Sequence, residues 1–136
     1  PCESVFHLIG PSQVGLSGLS AMRMLNRLAT RPEFSVWPYD NCTGARVVLT
    51  EIYAAAFAWL GGHRGKIRDK ETLNQVLECL ACKPVESDNI PITDHVSDAI
   101  ITAAGLRTIA TDRKYWHPEL LSTKVRETEG WVFGIL

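Results

Sequence analysis

No apolar run in this chain approaches the ~20 residues that a bilayer-spanning helix requires. The opening Pro1-Cys2-Glu3-Ser4 has neither the basic start nor the apolar stretch of a secretory signal. These absences point to a cytoplasmic protein with no membrane partner. Charge of one sign is also lacking: 14 Lys and Arg face 15 Asp and Glu, leaving a net charge of −1. Any contact with nucleic acid would therefore need a local basic patch. Cysteine is scarce, and the four residues do not form a metal pattern. Cys79 and Cys82 stand close together, but inside the helical run 73–82 rather than on a turn, and no second pair answers them. His7, His63, His95 and His117 show no ligand spacing either. Small, reduced core cysteines are the expectation. Also missing are a nucleophile elbow and a Cys with spaced His and Asn. The Gly/Ser-rich segment 11–18 lacks the Lys and spacing of a phosphate loop and reads as a connection.

What remains is an ordinary globular balance, 46% apolar and 21% charged, over a length suited to one domain, 1–136. Ser4 to Ile9 offers an extended entry or a short strand. A helix with Ser17 as N-cap follows, carrying Leu19, Met22, Leu25 and Leu28 as a partial stripe and ending before Pro32. Phe34 to Trp37 has the composition of a strand. Asp40 and Asn41 after it suit local turn hydrogen bonds. The link onward to Arg46 is too short for a helical crossover, so an antiparallel or non-adjacent arrangement is expected for the next strand.

That next strand is the run Arg46-Val47-Val48-Leu49-Thr50-Glu51-Ile52-Tyr53, rich in strand formers. It passes directly into the Ala-rich helix 54–60, closed by Gly61-Gly62. Glu51 thus falls at the carboxyl end of a strand, where open α/β sheets collect ligand sites. The segment 63–70 is the densest basic stretch; it reads first as a solvated loop, and Arg64, Lys66 and Arg68 are its candidates for nucleic-acid contact. Asp69 can cap a helix whose Leu73, Val76, Leu77 and Leu80 lie at helical spacing. The helix from Asp94 to Ala110 is small and apolar nearly all round, which predicts a buried helix. Asp94 suits its N-cap. Asp98, four residues on, shares its face, and a carboxylate on a buried helix needs a partner: a metal, an Arg or backbone donors. Residues 129–136 close the chain as an apolar strand built into the sheet.

Glu51, Asp94 and Asp98 together could hold Mg²⁺ or Mn²⁺, hard cations that prefer oxygen ligands and drive phosphoryl chemistry. The strand ending Glu-Ile-Tyr, the Lys-x-Arg segment 66–68, the run Asp94-His95-Val96-Ser97-Asp98-Ala99 and the closing Glu129-Gly130-Trp131 add a likeness. From about Gln13 onward the chain resembles the ribonuclease H-like superfamily, in particular a branch of predicted nucleases related to the Holliday-junction resolvases. The resemblance implies an α/β fold, a mixed β-sheet flanked by helices. It further implies a metal-dependent phosphodiester hydrolase with Glu51, Asp98 and Asp94 as catalytic and metal-binding acids. The superfamily's first-strand Asp has no counterpart, because the only acid before Gln13 is Glu3. A fold incomplete at its N-terminus is therefore expected. The alternative is a non-catalytic oligomerising or scaffold domain of the same fold, whose exposed sheet edge would form a homo-dimer. An actin-like nucleotide-binding domain ranks third, without phosphate-loop signatures.

Overall fold

In a computed structural model of the chain, residues 15–87 and 89–136 are described. The entry segment Ser4 to Ile9, with Cys2 and His7, lies outside them. The chain divides into two compact units, Pro1–Leu49 and Thr50–Leu136.

In the first unit, helix α1 spans Gly15–Ala29. Its start lies inside the segment expected as a loop, so Ser17 sits within the first turn and not at the cap. Leu25 and Leu28 are half-buried whereas Leu19 and Met22 are exposed. Strand β1, Phe34–Val36, pairs with β2, Val47–Leu49, in register Phe34↔Val47 to Val36↔Leu49. The pair is parallel, which corrects the antiparallel or non-adjacent expectation. A strand of three residues spans only about 10 Å at ~3.3 Å per residue. Residues 37–46 can therefore carry the chain back to its starting end with turns alone. Asp40 organises that return: its carboxylate accepts the Val36 N–H at 2.7 Å, and its own N–H donates to the Val36 carbonyl at 2.9 Å. Asn41 Oδ1 accepts the Thr43 N–H at 3.0 Å.

The second unit is helical at its centre. Strand β3, Glu51–Ile52, leads through Tyr53 into α2, Ala54–Leu60. Helix α3, Lys70–Cys79, is capped by Asp69, whose carboxylate accepts the Thr72 N–H at 2.7 Å. Helix α4 runs Asp94–Ile109, and the short helices α5, Arg113–Trp116, and α6, Thr123–Thr128, follow. Strand β4, Val132–Phe133, returns to pair in parallel with β3, Glu51↔Val132 and Ile52↔Phe133. The core is built from Phe57, Leu73, Val76, Leu80, Ile101 and Phe133, each no more than 2% exposed. Gly105 of α4 meets Phe57 so closely that a Cβ there would stand 2.1 Å from the ring. Gly61 is similarly pressed against Val76, where an added Cβ would lie 2.6 Å from its Cγ1, while Gly62 at φ +81 makes the left-handed turn.

A mixed sheet flanked by helices does not form, and the expected ribonuclease H-like architecture is corrected accordingly. Among the described residues the strands amount to two separate pairs, each strand two or three residues long, and helix predominates. The reason is visible at Thr50. It interrupts the run 46–53, so Val47–Leu49 and Glu51–Ile52 join different partners instead of one central strand. The apolar residues that would have covered a sheet pack helix against helix instead. The closing strand likewise contracts to two residues, because Gly134 at φ +96 turns the chain and Trp131 Nε1 donates to the Ile135 carbonyl at 3.0 Å.

Helix α4 is not buried all round: Ser97, Ile101, Thr102, Ala104, Gly105 and Ile109 face inward, but His95, Ala99 and Ala103 are exposed. The cysteines differ from expectation too. Cys79 is exposed, Cys42 and Cys82 are half-buried, and all three are free thiols. Among the described residues no helix is long and apolar enough to cross a membrane.

Candidate functional site

The site grows from the segment between α2 and α3. Lys66-Ile67-Arg68 alternates polar, apolar, polar, and the structure uses that alternation: Ile67 is 3% exposed in the core while Lys66 and Arg68 point out. The segment is fastened to the first turn of α4. Ser97, 1% exposed, donates its hydroxyl to the Ile67 carbonyl at 2.8 Å, with the Thr93 and Asp94 carbonyls at 3.1 and 3.0 Å. Thr93 is the N-cap of α4, its Oγ1 accepting the Val96 N–H at 3.3 Å. Asp94, expected at the cap, is instead the first helical residue, and its carboxylate turns to the basic segment.

There it receives Arg68 at both oxygens, from Nε at 2.7 Å and from Nη2 at 3.2 Å, while Lys66 Nζ stands 3.7 Å from Oδ2. The hydrogen-bonded Arg68 guanidinium holds the Asp94 carboxyl below the ordinary carboxylate range, and Lys66 adds to the effect. The same pairing raises Arg68 above the ordinary guanidinium range. A divalent cation favours several oxygens free of competing positive charge. Asp94 does not meet that requirement, so it does not fit as a cation ligand in this arrangement.

Asp98 lies one turn further along α4, half-buried, with no hydrogen bond or ion pair to any described residue. It lines a cleft of about 410 Å³ together with Tyr53, Ala54, Trp59 and Lys66. The Ala-rich start of α2 leaves this space open, since methyl side chains fill little of it. Tyr53 and Trp59 remain about half exposed, at 52% and 49%, and meet edge to face with ring centres 5.9 Å apart. The Arg64 guanidinium lies 5.8 Å over the Trp59 ring. A shallower groove of about 290 Å³ adjoins the cleft, sharing Ala54 and Asp98 and adding Ile52, Thr102, Ala103 and Leu106. Thr102 lies along that groove, but its hydroxyl is buried and has no hydrogen-bond partner among the described residues.

Glu51, the strand-end acid of the sequence reading, is exposed on β3 and lines neither cavity. Among the described residues no three His, Cys, Asp or Glu side chains gather as a group that could hold a metal ion. The structure thus joins Asp94 to Lys66 and Arg68, brings Asp98 to the same cleft as Lys66, and leaves Glu51 outside both cavities. Sequence reasoning missed Tyr53, Trp59 and Thr102. The available signal was the placement of two aromatics at either end of an Ala-rich helix, whose small side chains cannot cover the rings.

No family model, curated protein or solved structure matches this chain.

Proposed function

We propose that the second unit is a binding module for single-stranded nucleic acid, with an unpaired base against Tyr53 and Trp59 and its phosphate at Lys66 and Arg64. The observation that supports this most is the pair of half-exposed aromatic rings flanked by two solvent-facing cations. Unpaired bases stack on aromatic faces whatever their sequence, and nearby cations track the backbone. Arg68, proposed from the sequence as a third contact, serves a different purpose. By occupying Asp94 it removes a carboxylate that would otherwise repel a phosphate beside Lys66.

The test is a titration of a short labelled single-stranded oligonucleotide by fluorescence anisotropy. Binding should fall with salt at a slope of about −1.4 in log–log form, as two phosphate contacts give in single strands. Trp59→Ala should lose about 1–3 kcal/mol of affinity, the contribution of one stacked base. A salt-independent signal, or a Trp59→Ala variant that binds as the parent does, counts against the reading.

Metal-dependent phosphodiester hydrolysis is the second reading, favoured by one observation, the unpartnered Asp98 carboxylate at the edge of the cleft. Mg²⁺ or Mn²⁺ at millimolar concentration should then raise the melting temperature by binding the folded state, and Asp98→Asn should abolish the rise. An unchanged melting temperature would leave binding without chemistry.

A further inference from the structure

From the cleft we infer that the module distinguishes RNA from DNA, with the Asp98 carboxylate accepting a hydrogen bond from a ribose 2′-hydroxyl; this rests on the single-strand-binding reading above. Asp98 lines the same cleft as Tyr53, Trp59 and Lys66, the groups assigned to base and phosphate. The sugar joins those two parts of a nucleotide. A base on the rings and a phosphate at Lys66 therefore leave the sugar inside that space. At about 410 Å³ the cleft falls within the roughly 300–1,000 Å³ of small-ligand sites, which suits one nucleotide rather than a duplex.

Among the described residues that line the cleft Asp98 is the one acid, and no described residue bonds or pairs with it. An ionised carboxylate only accepts hydrogen bonds. Beside a bound phosphate its charge is repulsive. Arg68 meets that problem at Asp94 but is engaged there through both Nε and Nη2. The ligand itself must therefore bring the donor. Base donors change from one base to the next, so stacking that tolerates any base supplies none reliably. The sugar of an internal DNA residue has no donor at all. An internal ribose has one, the 2′-hydroxyl, the group by which a protein tells RNA from DNA. Hydrogen bonds to an ionised acceptor are the stronger class. The pairing thus offsets the repulsion in RNA and leaves it standing in DNA.

End-labelled oligouridine, oligodeoxyuridine and 2′-fluoro oligouridine of equal length provide the probe, titrated in EDTA so that no divalent cation competes for Asp98. All carry the same base. Fluorine keeps the ribose-like sugar pucker but donates no hydrogen bond. The ribose strand should bind the parent about tenfold more tightly than the deoxyribose strand, in line with one charge-assisted hydrogen bond. The 2′-fluoro strand should bind as weakly as the deoxyribose strand. Asp98→Ala should bind all of them alike. Equal or tighter binding of the deoxyribose strand by the parent overturns the RNA inference and leaves the stacking module intact. A 2′-fluoro strand that binds as the ribose strand does traces the preference to sugar pucker and also overturns it; that comparison uses the parent alone, whatever the stability of the variant. A ribose preference that persists in folded Asp98→Ala places the reader elsewhere and overturns it too. Failure of every strand to bind the parent overturns both readings.

Discussion

Replacing Gly105 by alanine tests the packing that holds the cleft open, because α2 and α4 form its two walls. In an ordinary helix interior this change stabilises by about 1 kcal/mol, since glycine is the poorer helix former. Gly18 in α1 is such a position, with nothing among the described residues within 4 Å of an added Cβ, and Gly18→Ala should show that gain. At Gly105 the added Cβ would lie 2.1 Å from Phe57 Cδ1, 2.6 Å from Cγ and 2.8 Å from Cβ. Rotating the ring could relieve the first contact, but Phe57 is 1% exposed and its Cβ cannot move without its helix. Forcing an extra methyl into a packed core costs about 1–3 kcal/mol. Contacts this short belong at the upper end, so the propensity gain is outweighed and a net loss of about 1–2 kcal/mol is expected. Urea unfolding should show a lower midpoint at unchanged slope for Gly105→Ala and a higher one for Gly18→Ala. Stabilisation by both variants alike would refute the close crossing of α2 and α4, and with it the shape of the cleft.

Three further outcomes follow from the same geometry. Ser97→Ala removes the buried donor to the Ile67 carbonyl and should cost about 1–3 kcal/mol in denaturant unfolding, because that acceptor loses its partner; an unchanged midpoint would mean the basic segment is not fastened there. Asp94 contributes to stability only while ionised: its folded value lies below its unfolded value near 3.9, so the contribution is complete above about pH 5 and lost as pH falls through the folded value. Melting temperatures of Asp94→Asn and parent should therefore converge in acid and differ near neutrality, and a constant gap down to strong acid would contradict the Arg68 pairing. Thr102→Val, deleting a hydroxyl with no partner among the described residues, should leave stability equal or raise it by about 1 kcal/mol; a large loss would show that the hydroxyl is bonded in solution.

Local structure was legible where one signal acted alone. The Asp69 cap with Leu73, Val76, Leu77 and Leu80 behind it marked α3, and the small residues after Thr93 marked α4. The Asp40 turn was equally plain, since its hydrogen bonds are made within a few residues. Pairing of strands was not legible. The composition of residues 46–53 favours a strand throughout, yet which partner each half meets depends on residues far along the chain, Phe34 to Val36 for one half and Val132 to Phe133 for the other. Nor did the sequence reveal the fate of its acids. Asp94, Asp98 and Glu51 read alike as carboxylates, and only geometry distinguishes one held by Arg68, one facing a cleft without a partner, and one exposed on a strand. The aromatic pair was overlooked for a related reason: nothing local tells whether a Trp in an Ala-rich helix is core or surface.

The account stands on the surface formed by Tyr53, Trp59, Arg64 and Lys66. Anisotropy titration of one labelled single-stranded oligonucleotide with the parent chain and with Trp59→Ala addresses it most directly. The parent should bind, and the variant should remain folded while binding about tenfold or more weakly, as loss of one stacking platform requires. No binding by the parent, or equal binding by both proteins, would contradict it.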